Sequence, residues 1–217
     1  MKYYFLALFF GAISPLGFAP YDIWPLVFIS ISGLIYLINS KKSKNYFLMG
    51  FFFGIGFWGV GVSWVYVSIY YHGNQGFIGS FLITSLFIFY LSLFIGLSTY
   101  LFKLFKTNAK YINYLLVFPA AWVSCELLRS HFITGFPWLI MGSSLTGTHI
   151  DGWIPILGSY GTSLLLVIMS ACLVLIIEST KRIELSPILL LLIIFITNCS
   201  LDSKTGMWTK SKELKLS

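Results

Sequence analysis

The stretch FLITSLFIFYLSLFIGLSTYLF, residues 81–102, decides the fold of this chain. It is almost continuously apolar over the length that a helix needs to cross a bilayer, about 20 residues. A strand of a membrane barrel would instead alternate apolar and polar side chains over about ten residues. Because a backbone in hydrocarbon satisfies its hydrogen bonds only in a helix or a closed barrel, the stretch predicts a transmembrane helix.

The composition extends this prediction to the whole chain. Hydrophobic residues make up 58% of the 217 positions and charged residues only 10%, whereas a soluble domain carries about 25% charged residues. The mean hydropathy is +0.87. These values predict an all-α integral membrane protein, a polytopic bundle of about seven transmembrane helices. The predicted crossings are residues 3–18, 23–39, 46–70, 77–102, 111–129, 156–177 and 185–200.

The first crossing is short and also has the look of a signal peptide, since Lys2 precedes an apolar run and small residues. The following residues offer no convincing small-x-small cleavage site. We therefore expect an uncleaved hairpin of two helices that turns at Ala19 to Asp22, where Pro20 marks the turn.

The basic residues predict the orientation. With a cytoplasmic N-terminus, the short outer loops carry only Arg129, and an excess of Lys and Arg in short loops marks the cytoplasmic side. The net charge of +7 is then a topology signal and an attraction to the anionic inner leaflet, rather than a sign of nucleic-acid binding. The predicted inside residues are Lys2, Lys41, Lys42, Lys44, Lys103, Lys106, Lys110, Lys181 and Arg182.

The segment ELLRSHFITGFPW, residues 126–138, concentrates rare charges near the predicted outer interface. Glu126 and Arg129 are spaced i, i+3, so they share a helix face on which they can pair and anchor the helix. Alternatively, Arg129 can hold a phospholipid headgroup. Gly135 and Pro137 then predict a turn that carries Trp138 back toward the membrane surface.

Packing and interface signals occupy residues 50–71. The glycines of GFFFGIGFWGVG include the small-xxx-small pair Gly50 and Gly54, which indicates close helix packing. A lipid-accessible groove is the alternative interpretation. The same helix continues into an aromatic cluster typical of a membrane interface, and we take Trp64 and Tyr71 from it as candidate lipid-binding residues.

No metal site and no cofactor are predicted. The cysteines, Cys125, Cys172 and Cys199, lie in predicted helices without paired spacing. His72, His131 and His149 fall on the predicted outer side, where isolated imidazoles usually make ordinary hydrogen bonds.

Four motifs in order resemble the membrane part of the bacterial apolipoprotein N-acyltransferases, and the likeness runs along nearly the whole chain. They are PLGFAPYDIWPL (residues 15–26), GFFFGIGFWGVGVSWVYVSIYYHG (50–73), PAAWVSCELLRSHFITGFPWLIMGSS (119–144) and IPILGSYGTSLLLV (154–167). The resemblance implies transfer of an acyl chain from a phospholipid to the N-terminal amine of an apolipoprotein. It also implies a thioester on a cysteine and a bacterial inner membrane location, with the reaction on the periplasmic face.

The same resemblance implies that the catalytic Glu, Lys and Cys belong to a nitrilase-like domain that this chain lacks. We therefore expect a transmembrane domain over residues 1–200 and a periplasmic linker toward that domain over residues 201–217. No residue here inherits a catalytic role, and the chain alone is expected to be inactive. It is then a truncated enzyme or the membrane subunit of a split one. A non-enzymatic scaffold or lipid-binding remnant is the alternative, and a small transporter has less support because no mid-membrane ionisable site is apparent.

Overall fold

The computed structural model describes residues 1–40, 45–179 and 185–205, and the side chains of the last helix as far as Leu201. All regular structure in these residues is helical. The α-helices are α1 (Lys2–Ile13), α2 (Pro25–Asn39), α3 (Tyr46–Gly61), α4 (Trp64–His72), α5 (Gly76–Phe105), α6 (Lys110–Ile112), α7 (Phe118–His131), α8 (Ile154–Glu178) and α9 (Leu185–Thr205). Short 3₁₀ turns follow α1 and precede α8, and a π-helical stretch, Asn113–Val117, joins α6 to α7.

Three helical stretches within the described ranges are long and apolar enough to cross a membrane: Gly76–Phe105, Lys110–His131 and Asp151–Glu178. The pair α3 and α4 makes a fourth if it is one broken span. The expected seven crossings are therefore not all matched by helices of full length, because α2 and the apolar part of α9 are shorter and α1 has 12 residues. The helices do fall where the crossings were predicted.

The predicted crossing 46–70 is not one continuous helix in the structure. It divides at Val62 into α3 and α4, which are bent by 56° relative to each other. Gly61 ends α3, and the Ser63 hydroxyl donates to the Val60 carbonyl, 3.1 Å away. The break has a local cause, since glycine weakens a helix and a serine side chain competes for a helix carbonyl.

The glycines of α3 confirm the packing interpretation. A Cβ built on Gly50 would lie 2.3 Å from Thr99 Oγ1, and one on Gly54 would lie 2.8 Å from Ser92 Cα, so this face of α3 lies against α5. On another face, a Cβ on Gly56 would lie 2.0 Å from the Leu8 carbonyl oxygen in α1. The helix α3 is thus packed between α1 and α5.

One end of the bundle, which we call the basic end, gathers the ends of α2, α5 and α8 and the start of α6. Lys106 Nζ lies 2.9 Å from Asn39 Oδ1, and Lys110 Nζ lies 3.1 Å from Glu178 Oε2. Lys106 and Lys110, two lysines of the predicted inner side, therefore lie at one end. Five other residues of that prediction, and most of the predicted linker, lie outside the described part of the chain: Lys41, Lys42, Lys44, Lys181, Arg182 and residues 206–217.

Candidate functional site

At the opposite end of the bundle, the chain leaves α7 through an irregular loop, residues 132–140. Gly135 adopts a φ of +71°, and a Cβ on it would lie 2.1 Å from the Ser130 carbonyl oxygen. A residue with a side chain would therefore be strained there and would also clash. The Gly135 amide donates to the Phe132 carbonyl, and the Phe136 amide donates to the Arg129 carbonyl, both at 3.0 Å. The predicted turn toward Trp138 is present.

Arg129, in the last turn of α7, is buried, with 3% of its surface exposed. Its guanidinium donates to the carbonyl of Phe136 and, at 3.0 Å, to the carbonyl of Trp138. The guanidinium carbon also lies 4.8 Å from the ring centre of Trp58 in α3. Arg129 thus holds the loop on either side of Pro137 and rests on an indole face, an attractive cation–π arrangement.

Glu126, one turn earlier on α7, is also buried. Its Oε1 accepts a hydrogen bond from the Met141 amide at 2.9 Å. The next amide, that of Gly142, donates to Ser163 Oγ in α8 at 2.7 Å. Glu126 and Ser163 therefore fix the first turn of the 3₁₀ helix Met141–Leu145, where free amides need acceptors. We call Glu126 and Arg129, with the loop groups they bind, the α7 clasp.

The expected ion pair between these two side chains is not formed, since the described residues show no contact within 4 Å between the Glu126 carboxylate and the Arg129 guanidinium. Each bonds to the loop backbone instead. The physical reason is that an irregular loop has carbonyls and amides without helix partners, and these must be satisfied inside the protein at membrane depth.

The clasp carries exposed aromatic side chains. Trp138 is 56% exposed and Trp64 is 48% exposed, and their ring centres lie 5.5 Å apart. Tyr71, 73% exposed, follows at the end of α4. The structure therefore brings Trp64 and Trp138 together from separate motifs, while Glu126, Arg129, Gly135 and Pro137 form the support beneath them. We call the surface of Trp64, Tyr71 and Trp138 the aromatic end.

Sequence reasoning missed Trp58, Ser163 and the backbone groups of residues 136–141 as partners of the clasp. Trp58 and Ser163 come from other helices, so no spacing around Glu126 or Arg129 indicated them. A further buried feature was also missed: the described residues provide no hydrogen-bond partner for Glu126 Oε2 or for the indole nitrogens of Trp58 and Trp122.

The cysteines and histidines considered in the sequence do not enter the hydrogen bonds of the clasp. Cys125 and Cys172 are buried and Cys199 is exposed, and all three are free thiols. His131 Nδ1 lies 2.9 Å from the Leu127 carbonyl of its own helix. Within the residues described, no group of three or more His, Cys, Asp or Glu side chains is arranged to hold a metal ion.

Comparison with known proteins places this architecture among relatives. The profile described as Apolipoprotein N-acyltransferase N-terminal domain matches residues 10–172. Curated proteins named Apolipoprotein N-acyltransferase are similar to the chain. The protein of Coxiella burnetii is 41% identical over 87% of this chain and 39% of its own length. That of Wigglesworthia glossinidia brevipalpis is 35% identical over 96% and 41%, and that of Haemophilus influenzae is 33% identical over 98% and 40%.

The similarity to these relatives covers most of this chain but less than half of each relative. The chain spans about two fifths of the length of these curated relatives. The matched profile includes α2 to α7, most of α8 and the whole α7 clasp.

Proposed function

The chain belongs to the apolipoprotein N-acyltransferase family by its N-terminal domain, and from that premise we propose that it is the membrane part of a phospholipid-dependent acyltransferase. Its work in that enzyme is to bind the phospholipid acyl donor and to receive the apolipoprotein acceptor. The single observation that carries this proposal is the match of that domain to residues 10–172, which include the clasp.

The aromatic end is the proposed lipid contact. Indole and phenol rings prefer the headgroup level of a bilayer, where one edge is apolar and the other meets water. Trp64, Tyr71 and Trp138 supply the rings, and Gly135 and Pro137 shape the turn that presents Trp138. Glu126 and Arg129 act by holding that turn, because their polar groups are turned to the loop backbone.

The proposed topology has seven crossings in a bacterial inner membrane, with a cytoplasmic N-terminus and a periplasmic C-terminus. The meeting of Lys106 and Lys110 at the basic end supports it, since basic residues concentrate on the cytoplasmic side. The aromatic end then lies at the periplasmic surface, about 45 Å away along the 30 residues of α5.

The catalytic Glu, Lys and Cys are expected in a nitrilase-like domain beyond the matched domain, either in a longer protein or in a separate subunit. Cys125 and Cys172 do not fit the role of the thioester nucleophile. Such a cysteine needs an electropositive, accessible setting, whereas both thiols are buried and Cys125 is followed by the acidic Glu126. Cys199 is exposed on α9 and is set aside because the catalytic cysteine is expected in the other domain. Purified chain of residues 1–217 is therefore expected to transfer no acyl group and to trap no thioester.

The test supplies a nitrilase-like domain to the chain and measures acyl transfer to a lipopeptide together with phospholipid binding. Trp138→Ala is expected to reduce both by about tenfold, the upper range for loss of one aromatic contact. Tyr100→Ala is the control, since Tyr100 is 46% exposed in the half of α5 nearer the basic end. Equal loss in both variants, or no loss in either, would contradict the assignment of the aromatic end.

A further inference from the structure

Two apolar cavities lie on the face of the bundle formed by α1, α2, α8 and α9. The larger, about 570 Å³, lies between α2, α8 and α9, and the smaller, about 370 Å³, lies between α1, α2 and α8. Ile29 and Leu173 line both. The cavities are therefore two parts of one groove, which we call the α2–α8 groove.

The lining suits an alkyl chain. The groove follows α2 from Pro25 to Tyr36, which is about 16 Å at a rise of 1.5 Å per residue. Ser32 contributes a hydroxyl to the lining, but that hydroxyl already donates to the Ser170 carbonyl at 3.0 Å. Because α8 belongs to a candidate membrane span, the surroundings of the groove are hydrocarbon rather than water.

One end of the groove meets positive charge. Tyr36 precedes Asn39 by one turn of α2, and the Asn39 side chain accepts from Lys106 Nζ at 2.9 Å. On α8, the lining residue Ile177 is followed by Glu178, which pairs with Lys110. Glu178 compensates the charge of Lys110. Lys106 Nζ also lies 3.4 Å from the Tyr46 hydroxyl and 5.8 and 5.6 Å from the ring centres of Tyr46 and Phe102. None of these groups neutralises its charge, and among the described residues no carboxylate lies within 4 Å of it, so the charge remains available to an anion.

We propose that the α2–α8 groove binds one acyl chain of an anionic phospholipid whose phosphate lies at the basic end, near Lys106. The charge at that end selects an anionic lipid over a zwitterionic one, and the apolar lining takes the chain. The site is at the opposite end of the bundle from the aromatic end. No bond is made or broken in it, so the bound lipid joins α2 to α8 rather than serving as acyl donor.

The headgroup half of the proposal is tested on the purified full chain. Phosphatidylglycerol and phosphatidylcholine with identical acyl chains are titrated, and bound lipid is counted by native mass spectrometry. We expect phosphatidylglycerol to bind about fivefold more tightly, the effect of about one favourable lysine near a lipid surface. Lys106→Gln, which can still donate to Asn39, is expected to remove the preference. Equal binding of the two lipids to the parent protein would overturn the proposal that the basic end selects an anionic headgroup.

The groove is tested by filling it. Ile29→Trp places an indole where the two cavities meet, and about tenfold weaker binding of phosphatidylglycerol is expected. Ile83→Trp on α5 is the matched control, because Ile29 is 50% exposed and Ile83 is 44% exposed. Thermal unfolding establishes that both variants are folded. Unchanged binding by a folded Ile29→Trp variant would overturn the proposal.

A third measurement needs no substitution. Phosphatidylglycerol with a photoreactive group in its acyl chain is expected to label the unmodified chain at groove residues such as Leu173 and Phe195. Labelling confined to other helices would overturn the site. So would a dimer of the chain in the native mass spectrum that excludes phosphatidylglycerol, since a second copy would then be the occupant. The labelled residues identify which site holds the lipid and do not depend on acyl transfer, so binding in the groove is distinguished from phospholipid binding at the aromatic end.

Discussion

Arg129 is a charged side chain that the protein uses on its own backbone. Its guanidinium serves two carbonyls on either side of Pro137 and rests on Trp58. A planar group with several donors in a fixed fork suits this geometry, which a lysine ammonium does not reproduce. The exposed ring of Trp138, which the clasp positions, is therefore the lipid contact that we propose in this region.

Substitution of Arg129 tests this assignment. Arg129→Lys is expected to lower the free energy of unfolding by about 1–3 kcal/mol, since at least one part-buried loop carbonyl loses its donor. Thermal unfolding in detergent measures the stability. The part of the tryptophan quenching by brominated lipids that is lost on Trp138→Phe, with the other tryptophans kept, measures the position of the ring. If the lysine variant were as stable as the parent protein and its Trp138 were quenched to the same extent, the role assigned to Arg129 in the clasp would be contradicted.

Glu126 permits a graded comparison. Glu126→Gln retains an oxygen that can accept from the Met141 amide, whereas Glu126→Ala leaves that buried amide unpaired. We expect the alanine variant to be less stable than the glutamine variant by about 1–2 kcal/mol, as measured by thermal unfolding. A double-mutant cycle of Glu126→Gln with Arg129→Gln isolates any direct coupling. A coupling free energy as large as either single effect would show that Glu126 and Arg129 interact directly, which would contradict the absence of an ion pair in the structure.

At this scale the sequence predicted which residues matter better than it predicted their partners. The i, i+3 spacing placed Glu126 and Arg129 on one face of α7, and Gly135 with Pro137 predicted the turn. The partners could not be predicted, because Ser163 and Trp58 approach from distant parts of the chain. Spacing rules describe neighbours along one helix and contain no information on which other helix supplies an acceptor or an aromatic face.

At the scale of elements, α3 shows how one helix serves different neighbours with different glycines. Gly50 and Gly54 face α5, and Gly56 faces the backbone of α1. Gly59 is different, since a Cβ on it would meet nothing within 4 Å. The composition of α3 alone therefore does not separate glycines that pack from those that do not.

This contrast gives a matched pair of substitutions. Gly56→Ala is expected to destabilise the protein by about 1–3 kcal/mol, because its methyl group would overlap the Leu8 carbonyl and force α1 and α3 apart. Gly59→Ala is expected to be neutral or stabilising by up to about 1 kcal/mol, since alanine favours a helix over glycine. The melting temperatures of the parent and the two variants, measured in the same detergent, test both expectations. Equal destabilisation by the two changes would argue against close contact of α1 with α3.

The positions of the helices were predictable because long apolar runs and polar breaks are read directly from the residues. The lengths and bends of the helices were harder to predict from the sequence. The break at Val62 lies inside a continuous apolar run, where hydropathy gives no warning. The turn in the loop of residues 132–140 was predicted from Gly135 and Pro137, but the donors from α7 that hold this loop were not. Such features depend on packing between helices, which a hydropathy pattern does not record.

At the scale of the whole molecule, the bundle has two chemically different ends. Lysines lie where α2, α5 and α8 end, and exposed aromatic rings lie along α4 and in the loop that follows α7. A bilayer distinguishes such ends, because basic residues favour the cytoplasmic side and aromatic rings favour an interface.

The orientation is tested with a reporter that is active only in the periplasm. Fusion after Ser200 is expected to give an active reporter, whereas fusion after Lys106 is expected to give an inactive one, as are fusions after Lys44 and Arg182. A cytoplasmic reporter at the same positions provides the complementary control. Activity after Lys106 with none after Ser200 would reverse the topology and place the basic end outside.

The close approach of Gly56 to Leu8 also has a consequence for biosynthesis. The α1 surface that α3 covers is made about 45 residues earlier than its cover, a delay of roughly 2 to 9 s at 5–20 residues translated per second. During that interval the bond from the Ser30 hydroxyl to the Phe10 carbonyl, at 2.6 Å, can already tie α1 to α2. The hairpin of α1 and α2 is therefore made with the Leu8 face of α1 uncovered, and this face remains uncovered until α3 has been synthesised.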